Sequence, residues 1–80
     1  MGVSDLNMAY VMINSETGYE AEVMKELKKI PSVQEVYQLY GVYDIIIKIE
    51  AENMEELKEI VSLRIRELEK IRSTLTLICI

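Results

Sequence analysis

The sequence predicts a small α+β domain whose elements follow the order β-α-β-β-α-β. Three observations predict it. Four short segments rich in Val, Ile, Thr and Tyr are set off by turn residues, as strands are. Two longer segments carry apolar residues at helical spacing, each opened by residues with capping-box spacing. The connections are short, so consecutive elements neighbour one another in space.

The first strand is Met8 to Asn14, "MAYVMIN", continuously apolar and closed by Asn-Ser. The first helix is "TGYEAEVMKELKKI". Thr17 and Glu20 stand in a capping box, and Val23, Met24, Leu27 and Ile30 share one stripe. Lys25, Lys28 and Lys29 suit the negative end of its dipole, and Pro31 ends it. Val33 to Tyr40 is the second strand and Tyr43 to Glu50 the third. Between them Gly41-Val42 predicts a two-residue type II′ turn, with glycine at its first central position. Asn53 and Glu56 open the second helix, expected to run to about Ile71 on a stripe of Met54, Leu57, Val61, Ile65 and Leu68. Ser73 to Ile80, "STLTLICI", is the fourth strand. Right-handed crossovers then favour the split β-α-β (ferredoxin-like) arrangement. Its four-stranded antiparallel sheet has the order 4-1-3-2, with both helices on one face.

That arrangement contains a conflict. In the first strand Met8, Tyr10 and Met12 point one way and Ala9, Val11 and Ile13 the other. In the last, Leu75, Leu77 and Cys79 oppose Thr74, Thr76, Ile78 and Ile80. Strands apolar on both sides are normally buried on both sides, and one chain has no third layer to offer. The expected cover is a second copy, sheet against sheet, making a homo-oligomer.

Composition narrows the chemistry. Eighty residues predict one domain, with residues 1–7 a flexible N-terminus and 8–80 the folded unit. Half the residues are hydrophobic, yet no apolar run approaches the roughly 20 that a membrane span needs. No secretory signal opens the chain, so the cytoplasm is the default compartment. Histidine is absent and Cys79 is the single cysteine, expected as a small buried hydrophobe. No metal site, no cofactor and no catalytic residue are expected. The net charge of −5 argues against direct contact with nucleic acid. Tyr10, Tyr37, Tyr40 and Tyr43 read as core or interface aromatics, and a third strand with one lysine, Lys48, and acidic neighbours argues against an RNA-stacking sheet. Charged residues of the second helix, among them Glu55, Glu56, Lys58, Arg64 and Arg66, read as a solvated face with local ion pairs.

One end of the sheet gathers polar groups: the turn at Gly41, Asn14 and Ser15, Thr17 and Gly18, Ser73 and Thr74. A small zwitterion needs such a mixture. Asp44 can meet an ammonium, while turn amides and hydroxyls meet a carboxylate. The plainer alternative has Asp44 bonding a turn amide or standing in water. Thr74 and Thr76 share one face of their strand, for which β-propensity is the plainer account.

Ile30-Pro31 with Val33 and Glu35, then Gly41-x-Tyr43-Asp44, then Thr74-x-Thr76 together resemble the C-terminal effector domain of the Lrp/AsnC transcription regulators, the RAM domain, over about Met8 to Ile80. The resemblance implies a dimeric α+β barrel in which sheets pair, and dimers that join into rings. It implies an amino acid or similar small metabolite bound between dimers near the hairpin, at Gly41, Val42, Tyr43 and Asp44, and less securely at Thr74 and Thr76. Family members carry a DNA-reading helix-turn-helix. Its absence from this sequence implies a stand-alone, non-enzymatic effector module with full-length Lrp/AsnC regulators as partners. The competing expectation is a purely structural assembly module without a ligand. An enzyme on the related barrel is disfavoured by the missing histidine.

Overall fold

In a computed structural model of the chain, residues 6–80 are described. The elements are β1 (Asn7–Ser15), α1 (Glu20–Lys28), β2 (Val33–Gln38), β3 (Ile45–Ala51), α2 (Met54–Glu59) and β4 (Ile71–Ile78), with a π-helical turn, Ile60–Arg64, continuing α2. The strands form one antiparallel sheet in the order β2-β3-β1-β4, as the sequence predicts. Of the N-terminal stretch expected to be flexible, residues 1–5 lie outside the described residues, while Asn7 already belongs to β1.

Period-2 alternation sorts the two faces. Ala9, Val11, Ile13, Ile45, Ile47 and Ile49 are fully buried, pairing across the two central strands with Val11 opposite Ile47. Val23 and Leu27 of α1, with Ile30, Ala51, Leu57, Ile60 and Ile65, complete this core. The other face carries Tyr10, Met12, Ile46, Leu75 and Leu77, with no layer over it among the described residues; Leu75 and Leu77 are 43% and 49% exposed.

Several local expectations need correction. The second helix does not run regularly to Ile71. After Glu59 it widens, the Ile65 N–H donating to the Ile60 carbonyl. This shift places both Ile60 and Ile65 in the core, so tertiary packing overrides the regular 3.6 period. The chain then turns, and β4 starts at Ile71 rather than Ser73. Asn53 does cap α2, its Oδ1 accepting the Glu56 N–H at 2.8 Å, and Glu56 reaches back to the Glu52 N–H. Thr17 does not cap α1. That helix starts at Glu20, after Gly18 takes the left-handed φ of +88° and accepts the back-reach of Glu20 by donating its N–H to Oε2.

The two-residue type II′ turn at Gly41-Val42 is also absent. That turn needs positive φ at its first central residue, and Gly18 is the one described glycine with positive φ. The strands part earlier, after Gln38 opposite Ile45, and the Leu39 N–H donates to the Asp44 carbonyl. Tyr40–Tyr43 thus form a four-residue loop. Cys79 is exposed, not buried, because β4 is an edge strand and this position lies on the uncovered face. Among the described residues, the charges of α2 form no ion pairs within 4 Å. The pairs present are Lys29–Glu26, Lys48–Glu35 and Lys48–Glu50.

Candidate functional site

The hairpin between β2 and β3 is built on one anchor, Asp44. Its N–H donates to the Ile13 carbonyl at 3.0 Å, and its carbonyl receives the Leu39 N–H. Its carboxylate Oδ2 accepts the Ser15 N–H at 3.0 Å and the Ser15 hydroxyl at 3.3 Å. Ser15 is 2% exposed, so Asp44 supplies the partners that a buried amide and hydroxyl need where β1 ends. The side chain therefore has a structural duty, toward the end of β1 rather than toward the turn amide or the water of the plainer expectation. Both bonds use Oδ2, and Oδ1 has no hydrogen bond among the described residues.

The loop beyond the anchor stands clear of the domain. Tyr40 and Val42 are almost wholly exposed, Gly41 is exposed, and Tyr43 is half-buried. Gly41 has no other atom within 4 Å of where a Cβ would lie. Among the predicted residues, Gly41, Val42, Tyr43 and Asp44 therefore sit together by chain continuity. Thr74 pairs with Ile13 from the other side of β1, two strand spacings from Asp44, or roughly 10 Å. Thr76 pairs with Val11, one step further from the hairpin end. Both threonines are on the helix face of β4, with Thr74 exposed and Thr76 half-buried. A shallow cleft of about 300 Å³ takes in Thr74 but none of the hairpin residues. Within one chain, then, the hairpin and the threonines share an end of the sheet without closing a pocket around a ligand.

Ser15 is the residue that sequence reading missed as Asp44's partner. Its signal was its place at the end of β1, beside the start of β3 in any 4-1-3-2 sheet. A second polar group lies on the uncovered sheet face. Lys48, opposite both Tyr10 and Glu35, has its ammonium 3.6 Å from Glu35 and 3.5 Å from Glu50. Burial pulls the Lys48 pKa down, but Glu35, Tyr10 and Glu50 outweigh it and hold it above the ordinary lysine value. The Tyr37 hydroxyl donates to Glu35 at 2.9 Å, and this hydrogen bond, with the charge behind it, raises the phenol's pKa.

Comparison with known proteins settles the family. The sequence profile of the Lrp/AsnC ligand binding domain matches residues 8–80. The chain belongs to this family. It is similar to the HTH-type transcriptional regulator FL11 of Pyrococcus furiosus, 34% identical over 71 residues, covering 89% of this chain and 46% of FL11. It is also similar to the homocitrate synthase of Sulfurisphaera tokodaii, 38% identical over 69 residues, covering 85% of this chain and 15% of the synthase. The chain thus spans about half the length of the regulator and a small part of the enzyme. Among solved structures, FFRP-DM1 superposes with a TM-score of 0.89 at 35% identity, covering 92% of this chain and 99% of that one. The fold predicted from sequence is therefore the Lrp/AsnC ligand-binding fold. No helix among the described residues is long and apolar enough to cross a membrane.

Proposed function

We propose that this chain is an effector-sensing regulatory module that acts by assembling rather than by catalysis. A second copy covers the uncovered sheet face, and dimers meet around their hairpins. There an amino acid or similar small metabolite binds, with Gly41, Val42, Tyr43 and Asp44 and the hydroxyls of Thr74 and Thr76 as its contacts. The observation that carries this reading is the hairpin itself. An anchored carboxylate carries a loop whose Tyr40 and Val42 stand in solvent, and this exposure supports a site that a second surface would complete.

The comparisons support the same reading. Similar segments belong to an HTH-type transcriptional regulator and to a homocitrate synthase, two proteins with different tasks. A module useful to both is more simply a sensor of small molecules than a reader of DNA or a catalyst. In this chain it would report through full-length Lrp/AsnC regulators that share its sheet face. A second reading, assembly without a ligand, is favoured by one observation: the Asp44 carboxylate is already engaged by Ser15.

Titration calorimetry with single amino acids separates the two. The sensing reading expects saturable heat from at least one, weakened about tenfold or more by Tyr43→Ala, with the mass in solution unchanged in the variant. No heat from any amino acid, from a protein of dimer mass or larger, would leave the assembly reading in its place.

A further inference from the structure

The charge distribution holds an imbalance that the hairpin site does not use. The sequence has 14 acidic residues against 9 basic ones, so a basic side chain has ample choice of partners. Among the described residues the ion-paired cations are Lys29 and Lys48. The side chains of Arg66 and Arg72, like those of Lys25, Lys28, Lys58 and Arg64, make neither an ion pair nor a hydrogen bond there, and what sets the two arginines apart is that they share a cleft. Both line the same cleft of about 300 Å³, with Leu68 and Ile71 as its apolar lining and Thr74, on the helix face of β4, as its hydroxyl-bearing residue. No acidic side chain lines it.

Two breaks in regular backbone bring these arginines there. Ser73 pairs with Asn14 and Ile71 with Ser15, so Arg72 is the extra residue of a β-bulge. Bulges re-aim a side chain away from the strand's alternation. Arg66 follows directly on the π-helical turn and its C-cap, Ile65, where the helix ceases to be regular. π-Turns, like bulges, gather at functional sites. On the opposite face of β4 the Ser73 hydroxyl accepts from the Asn14 side-chain amide at 3.4 Å, which ties the strand beside the bulge to β1.

We infer that the Arg66–Arg72 cleft binds a small carboxylate-bearing metabolite, its acid group taken by the two guanidinium groups and the Thr74 hydroxyl. Guanidinium forks match carboxylate geometry, and such charge-assisted bonds are the strong ones. The volume suits a ligand of a few carbon atoms, at the small end of binding pockets. The inference rests on the sensing reading only in sharing Thr74; the cleft lies within one chain and needs no partner.

The test is a calorimetric or NMR titration of the full chain with glutarate, with inorganic phosphate and the neutral diamide of glutarate as comparison probes. Glutarate is expected to bind and the diamide not to. Arg66→Met with Arg72→Met should weaken glutarate about tenfold or more, while Arg66→Lys with Arg72→Lys should lose less. Both arginines are exposed, so the variants should keep the wild-type melting curve, checked by circular dichroism. Failure of glutarate to bind, equal binding of the diamide, preference for phosphate, or unchanged glutarate affinity in the methionine variant would each overturn the inference. The two proposals fail separately. Arginine-dependent glutarate binding beside no response to neutral amino acids would sink the hairpin sensor alone, and the reverse pattern would sink this cleft alone.

Discussion

Replacing Asp44 by alanine tests how the hairpin is held. The substitution removes the acceptor of two hydrogen bonds, at 3.0 and 3.3 Å, from a residue that is 2% exposed. A bond to a charged group contributes about 1.5–3 kcal/mol, and a buried group left without a partner costs about 1–3 kcal/mol. The longer bond, from the hydroxyl, adds less, because the hydroxyl can rotate. The expected loss is about 2–4 kcal/mol, large against the ~4–12 kcal/mol total of a domain this size. It should appear as a melting temperature lower by roughly 10–25 °C. Urea denaturation at one fixed protein concentration is the assay, since assembly would add to apparent stability. Asp44→Asn keeps an acceptor for the Ser15 N–H and should lose about 1 kcal/mol. Ser15→Ala should cost about 0.5–1 kcal/mol in the wild type and nothing in the Asp44→Ala background, where the hydroxyl is already orphaned. A loss below about 0.5 kcal/mol for Asp44→Ala, or additive single and double variants, would refute the anchor.

Other expectations follow from the same geometry. Gly18→Ala should cost about 1–2 kcal/mol from left-handed strain alone, since its Cβ would meet nothing, whereas Gly41→Ala should be neutral or stabilising by up to about 1 kcal/mol; thermal melts of the pair decide it. Asn53→Ala should lose about 1 kcal/mol with the cap on Glu56, read by urea denaturation. Tyr37 and Lys48 both have pKa values raised in the folded chain, so both bind protons more tightly folded than unfolded. Their contribution is complete below about pH 9 and is lost as pH rises past about 10 through the raised values; Tyr37→Phe with Lys48→Met should flatten that fall in a pH series of denaturation midpoints. Leu77→Glu places a charge at a half-exposed position of the uncovered face, so it should leave the fold intact by circular dichroism yet reduce the mass in solution to that of one chain.

The fold was legible because its signals are periodic. Alternation through β1 and β3 separates Ala9, Val11 and Ile13 from Met8, Tyr10 and Met12 without reference to any other element. Glu56, three residues after Asn53, marks the start of α2 correctly because capping is a local bond. What the sequence concealed is aperiodic. Nothing in "EIVSLRIREL" marks the wider turn at Ile60, which exists because Ile60 and Ile65 must both reach the core. Nor does "KIRST" mark Arg72 as a bulged residue, since the bulge is a relation between two strands. At the hairpin, glycine before Val42 suggested the tightest turn, but Asp44 closes the ladder through its backbone and Ser15, and the loop beyond it is longer. The partner of Asp44 was hidden for the same reason: Ser15 is 29 residues away in the chain and meets it only in the folded sheet.

The measurement that bears most directly on the whole account is the mass of the chain in solution, by light scattering after size exclusion, with and without a mixture of amino acids. One chain weighs 9.3 kDa. Pairing of the uncovered sheet faces predicts at least twice that mass without additives, and a sensing hairpin predicts a further rise when the mixture is present. A single-chain mass in both samples would contradict the pairing of sheets, and with it the site proposed to lie between dimers.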